Sequence, residues 1–429
     1  MSKLKTIVGT FVNSNEIKKK RIFFNSKGII EKIEDKNISA LSNDDFVFND
    51  DCLIFAGMGD IHIHAREDMS QKNIYKESFA TCCEAALNGG VVHVADMPNN
   101  PIPPVDDQSY KDKVELSKNH SLPFLMYAGI GPATRPLSFQ VPYKAFMGPS
   151  IGDLFFKDNR ELETSIAHYK NQWVSFHCED PEVLEQNKNQ VDHFSKRPLK
   201  AENLATDVAL NLIEKYQLKG KLCHYSSGEG LEKIIAAKKR GVNVTCEVTP
   251  QHLFFTEEKI KNQYKDQEVL FQMNPPIRHE SDRLRLLTAL KEGFIDFLAT
   301  DHAPHSEEEK RRGTSGMPGL DTFALFTTWL ILNEQVDPKI IAKVASENPG
   351  DFFNQFYRQF KNIFPHYQKY GEGLGHLLPG YSASFTVLNL KRPKLFTKDD
   401  LKSKAHWGPF IGFEFPGSIE SVILCGEKR

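Results

Sequence analysis

The chain has 429 residues, of which 40% are hydrophobic and 26% charged, with a formal net charge of -2. That length exceeds the roughly 250 residues of a single (β/α)8 barrel, so one large domain with a smaller companion is expected. The composition excludes a disordered or fibrous chain, and the interspersed charges form no basic stripe that would neutralise phosphates, which makes a small molecule a more natural partner than nucleic acid.

The N-terminal run Met1-Ser2-Lys3-Leu4-Lys5 lacks the apolar core of a signal peptide. No later stretch approaches the roughly 20 apolar residues needed to span a bilayer. A cytosolic protein that does not enter membranes is expected. Seven cysteines, including the neighbours Cys82 and Cys83, are scattered through the chain and suggest reduced, mostly buried thiols rather than a disulfide framework.

Short β-like runs bounded by Asn, Ser, Gly or Lys open the chain at 6–8, 21–24 and 28–33, and the same texture returns at 384–388 and 421–424. The two ends are expected to pair in one β-sandwich built from residues 1–56 and 378–429. Between them, apolar runs of strand length at 58–64, 91–97, 124–128, 144–147, 174–177, 221–225, 242–247 and 297–301 alternate with segments of helical period. Leu231, Ile234 and Ile235, for example, fall on one helical face. Eight such runs predict an α/β fold, a TIM-type (β/α)8 barrel over 57–377. The aromatic- and Gln-rich stretch 351–376 reads as a helical excursion without an evident purpose.

His62 and His64 lie two apart on a predicted strand and so project from one face, as two ligands of one metal must. Such a pair alone is also compatible with two satisfied core histidines. The context extends it: Lys144, His177, His224 and Asp301 belong to later strand runs. In a (β/α)8 barrel the C-terminal strand ends converge, so residues distant in sequence become neighbours. A backbone-bonded histidine or a lysine capping a strand explains each singly, but explains the set poorly.

The motifs Asp60-x-His62-x-His64-x-Arg66-Glu67, Met97-Pro98-Asn99-Asn100-x-x-Pro103-Pro104, Lys144-Ala145-Phe146-Met147-Gly148 and His177-Cys178-Glu179-Asp180 occur in that order. They are followed by Cys223-His224, Cys246-Glu247-Val248-Thr249-Pro250-Gln251-His252-Leu253, Met273-Asn274-Pro275-Pro276-Ile277-Arg278 and Thr300-Asp301-His302-Ala303-Pro304-His305. With them the sequence resembles the dihydroorotases, amidohydrolases that interconvert dihydroorotate and N-carbamoyl-L-aspartate in pyrimidine biosynthesis, across essentially the full chain. The resemblance implies two divalent ions, zinc in most members. His62, His64 and Asp301 would hold one, His177 and His224 the other, and a carboxylated Lys144 would bridge them. It further implies a bridging hydroxide as nucleophile and Asp301 as general acid/base, as suits water made acidic by metal. A homodimer and an association with aspartate transcarbamoylase are compatible with the resemblance and undecided by the sequence.

Substrate choice rests on fewer residues. Dihydroorotate carries a carboxylate that hydantoin and dihydrouracil lack, and a guanidinium grips one bidentately. Arg66, two beyond His64, is placed for this on the same strand face, unless it pairs structurally with Glu67 or Glu179. Asn100 and His305 are expected to add donors, and Asn274 and Gly319 to contact the ring. The segment 306–319 reads as a solvated loop or as a rim of the site, and 148–152 as a mobile lid or a plain turn. Cys223 and Glu247 resemble positions where some dihydroorotases place an additional metal, although strand alternation would turn Cys223 away from His224. Asp68-Met69 replaces the family's more common Pro-Gly, which puts the first loop's shape in question. The competing readings are a hydantoinase, dihydropyrimidinase or allantoinase on the same scaffold, and a non-catalytic relative serving as a scaffold.

Overall fold

The computed structural model describes residues 4–35, 46–148 and 154–429. The segment 149–152, which carries most of the sequence expected to form a lid or turn, lies outside the described residues.

The two chain ends share one eight-stranded sheet. Lys5–Val12 pairs antiparallel with Ile17–Phe24 and parallel with Cys52–Ala56. Cys52–Ala56 in turn pairs antiparallel with Phe385–Asn389, setting Ile54 opposite Val387, and Ser418–Leu424 continues the sheet beyond. Alternation explains the inner face. In Ile17–Phe24, Lys18, Lys19 and Lys20 precede the buried pair Ile22 and Phe24, and these cluster with Ile7, Phe11, Phe385 and Ile423.

The eight strand-length runs between the ends all contain parallel strands. Met58–Ile63, Val91–Asp96 and Phe124–Met126 pair in chain order. Ala128–Ile130, Tyr143–Phe146, Trp173–His177, Lys219–Leu222, Val244–Val248 and Phe297–Leu298 do the same. A single residue, Tyr127, separates the two groups. At the other edge, a parallel bridge joins Ile63 to His302, and His64 N donates to His302 O at 2.8 Å. The Asp60 carboxylate reinforces that seam by accepting Thr300 Oγ1 at 2.5 Å. Burial on both faces accounts for the near-continuous apolar character of these strands.

The runs at 221–225 and 297–301 yield strands shorter than their apolar length suggests. His224 and Asp301 adopt left-handed backbone, with φ of 35° and 48°. The regular strands end at Leu222 and Leu298, ahead of those residues, and single backbone bonds such as Tyr225 N to Glu247 O at 2.7 Å continue past them.

Helices fill the connections. Gly228–Lys239 buries Leu231, Ile234 and Ile235 on the face its spacing predicts. The stretch expected as an excursion is instead structural. Asn348–Ile363 is a helix with Phe352, Phe353, Phe356, Tyr357 and Phe360 buried, an i, i+1, i+4, i+5, i+8 stripe that makes one apolar face. Phe352 meets Tyr127, Trp173 and Phe297 at ring-centroid distances of 5.8, 5.4 and 6.1 Å. Trp173 and Phe297 each open a parallel strand. The helix thus seals the N-terminal ends of the strands, opposite the end where the histidines gather.

Phe352→Ala should lower stability by about 3–5 kcal/mol, the cost of emptying a large aromatic from a packed core. Denaturant unfolding measures this, and a loss below about 1 kcal/mol would contradict the role given to the helix.

Candidate metal centre

His62, the fifth residue of Met58–Ile63, and His64, just past its end, both face Asp301 Oδ1, with Nε2 at 3.3 and 3.0 Å. The ligand atoms of these three residues lie within 4.8 Å of one another. His177 ends the strand Trp173–His177, and its Nδ1 lies 3.0 Å from His224 Nε2. The rings of His62 and His224 lie 5.1 Å apart between centroids, tilted by 38°, so the two pairs form one cluster. Lys144, second in Tyr143–Phe146, is 0% exposed, and its Nζ has no hydrogen-bond partner among the described residues.

Behind three of the four histidines stands an acceptor. His62 Nδ1 is 2.5 Å from Glu247 Oε1, His64 Nδ1 is 2.8 Å from Asn99 Oδ1, and His177 Nε2 is 2.8 Å from Glu179 Oε2. Glu179 is held by Arg197 Nε at 2.9 Å. Each acceptor takes the ring N–H, which leaves the other nitrogen unprotonated and turned toward the centre, the arrangement by which proteins orient metal-ligating imidazoles. Burial holds the pKa of all four imidazoles below the ordinary value, and the nearby Lys144 charge adds to the effect. They are neutral and competent to ligate. Burial pushes the Asp301 carboxyl up to about 7, against the pull of Lys144.

The donor set fits divalent ions. His62, His64 and Asp301 suffice as a group for one ion, whereas His177 and His224 belong to no group of three drawn from His, Cys, Asp and Glu among the described residues. The orphaned Lys144 nitrogen is suited to complete that second group. An ammonium cannot ligate a cation, but a carboxylated lysine is an anionic two-oxygen ligand, and charge placed here would meet no competing hydrogen bond.

A cavity of about 260 Å³ opens over the cluster. That is below the roughly 300–1,000 Å³ of drug-sized sites and suits one small ring. Arg66, His305 and Asn274 line it, as the sequence predicts, and so do Thr314, Ser315 and Gly316, which makes the segment after Ser306 a rim. The strand has ended before Arg66, however, and the residue enters the cavity through left-handed backbone at φ 63°, not through strand alternation. The structural pairings weighed for Arg66 do not form. Glu179 is taken by Arg197, and Glu67 accepts from Phe79 N at 2.8 Å.

Two expected substrate contacts fall elsewhere. Asn100 points away from the cavity, its Oδ1 accepting from Lys113, which pairs with Asp96 at 2.7 Å. Asn99 lines the cavity in its place. The two are adjacent, and the turn after Pro98 decides which side chain faces inward. Gly319 is also outside the lining, because its N–H donates to His302 Nδ1 at 3.1 Å. Gly316 stands at the rim instead, with φ 127° and a would-be Cβ only 2.7 Å from Ala303 O, a conformation that requires glycine. Cys223 is buried at 1% exposure, as its reading as a small hydrophobe expects, and it also offers a ligand atom within 4.8 Å of those of His62 and Glu247.

Comparison with known proteins places this geometry. The chain shares its fold with the L-hydantoinase (dihydropyrimidinase) of Arthrobacter aurescens, at a TM-score of 0.85 over 99% of this chain and 95% of that one and 21% identity. The dihydropyrimidinase of Brevibacillus agri aligns with a TM-score of 0.80 over 99% and 95%, at 18% identity. At these identities the likeness speaks for the fold alone. No protein-family model matches. In sequence, the dihydroorotase of Thermococcus kodakarensis is 32% identical over 381 residues, 87% of this chain and 82% of the relative. Those of Shouchella clausii and Bacillus subtilis are 31% and 28% identical, covering 87% and 91% of this chain and 86% and 90% of theirs. The chain belongs to the dihydroorotase family.

The neighbouring asparagines offer a direct check. Asn99→Ala removes the acceptor behind His64 and should weaken metal binding by about 10–100-fold. Asn100→Ala should cost about 1–3 kcal/mol of stability by removing a charge-assisted hydrogen bond from Lys113, which keeps its pairing with Asp96, with metal affinity retained. Chelator competition and unfolding separate the two, and the reverse pattern would contradict the placement.

Proposed function

We propose that this chain is a metal-dependent cyclic amide hydrolase that interconverts dihydroorotate and N-carbamoyl-L-aspartate. Family membership supports the reaction, and the state of Arg66 supports the substrate. Its guanidinium is 4% exposed and lines the cavity, yet among the described residues it forms no ion pair with a carboxylate. Nη2 donates to His305 Nε2 at 3.1 Å, and Nε has no hydrogen-bond partner among the described residues. A buried cation left open toward a cavity favours an anionic ligand, and the carboxylate of dihydroorotate answers it.

The assignment of roles follows the donor set. His62, His64 and Asp301 would hold one divalent ion, His177 and His224 a second, and a carboxylated Lys144 would supply ligand oxygens to them; zinc suits such imidazole and carboxylate donors. Divalent ions at this centre supply Lewis acidity, which lowers the pKa of water and polarises a carbonyl oxygen. Asp301 carries a proton between the water and the ring nitrogen, so that opening the ring adds water across the C–N bond and closing it releases water. Arg66 and Asn99 bind the carboxylate, His305 orients Arg66 by accepting from its Nη2, and Asn274, whose Oδ1 has no hydrogen-bond partner among the described residues, faces the ring.

The scaffold in this reading is a closed (β/α)8 barrel over 57–377 with a composite β domain from 1–56 and 378–429. The Ile63–His302 bridge and the Ile54–Val387 register support that division. No helix among the described residues is long and apolar enough to cross a membrane.

Lys144→Ala should abolish turnover, with partial recovery on adding acetate or propionate; unaltered turnover would remove the lysine from the centre. Arg66→Met should lower kcat/KM for dihydroorotate by the equivalent of about 1.5–3 kcal/mol, the value of a charge-assisted hydrogen bond. Any turnover of hydantoin, which has no carboxylate, should not fall. An unchanged kcat/KM for dihydroorotate would defeat the carboxylate clamp.

A further inference from the structure

Two lysines lie beneath the centre in different surroundings. Both Lys144 and Lys221 are 0% exposed. Among the described residues the Lys144 nitrogen has no hydrogen-bond partner, and it lies 5.3 Å from the ring centroid of Phe146. Lys221 Nζ occupies a built seat: it donates to Glu247 Oε2 and lies 5.4 and 5.8 Å from the ring centroids of Tyr127 and Phe352. A carboxylate and two aromatic faces are what a buried ammonium requires in place of water.

The same carboxylate is part of a second donor group. Glu247 Oε1 accepts from His62 Nδ1 at 2.5 Å and from His224 N at 2.9 Å. With Cys223 added, the ligand atoms of His62, Cys223 and Glu247 lie within 4.8 Å of one another, all three residues buried. One thiol, one imidazole and one carboxylate form a set that zinc or cobalt would accept. An ion there would have to displace the proton on His62 Nδ1 and sit beside the Lys221 ammonium in a dry interior, where repulsion between like charges is screened little.

We propose that Lys221 is a resident counter-cation that keeps the His62, Cys223 and Glu247 group free of divalent metal. It confines the ions to the Nε2 side of His62, where Asp301 and His64 lie. Through Glu247 it acts as a positioning residue, since an acceptor not bound to metal keeps the His62 proton on Nδ1. The proposal rests on the metal-dependent reading above.

The test uses the full chain produced and dialysed with Co²⁺, with cobalt per chain measured by elemental analysis and thiolate ligation by its charge-transfer absorption. The native chain should bind cobalt without that absorption. Lys221→Met should bind one more ion per chain and show the band, and adding Cys223→Ser should remove both gains. A thiolate band in the native chain, or no extra ion in a folded Lys221→Met variant, overturns the proposal. Should Lys221→Met fail to fold, Cys223→Ser alone decides: unchanged cobalt content supports the proposal, and loss of one ion refutes it. A native chain that binds no cobalt or zinc at all would instead sink the metal-dependent reading itself.

Discussion

The buried carboxylate of Glu247 ties together parts of the centre that come from different strands. It holds the side chain of His62 and the backbone of His224, and it is itself held by Lys221. An unpaired carboxylate at 0% exposure would be costly, and these partners offset the desolvation. Without it, neither the tautomer of His62 nor the placement of His224 would be fixed. Glu179 and Asn99 repeat the device at His177 and His64.

A second constraint is conformational. Arg66, His224 and Asp301 are not glycine, yet all have positive φ, at a cost of about 1–3 kcal/mol each in sparsely populated backbone. Each lies just beyond the end of a parallel strand. The left-handed turn breaks the regular strand geometry and swings the side chain over the strand ends. Strain at this end is balanced by packing at the other, where the helix Asn348–Ile363 presses Phe352 into the core.

Much of this was legible from residue patterns. The eight apolar runs each contain a parallel strand, the two ends of the chain do share a sheet, and His62, His64, His177, His224 and Asp301 do gather at one end. The differences have local origins. Strand alternation does not hold beyond the strand ends, so Arg66 reaches the cavity through left-handed backbone and not along a strand face. Asn99 and Asn100 are chemically identical neighbours, and only the turn decides between them. The difference between Gly316 and Gly319 is likewise a matter of φ and of the bond to His302. The aromatic stripe of 352–360 carried a helical period that was readable, but its partners, Tyr127, Trp173 and Phe297, are too distant in sequence for a local pattern to reveal.

Family membership and physical chemistry meet at this centre: neutral imidazoles aimed at a common point, a buried lysine with no hydrogen-bond partner among the described residues, and a guanidinium open to the substrate carboxylate. Removing the bound metal with a chelator, then restoring zinc with bicarbonate present, while following ring opening of dihydroorotate and ring closure of N-carbamoyl-L-aspartate, tests that union most directly. The account predicts that both reactions disappear with the metal and return with it; turnover that persists in the stripped chain would contradict it.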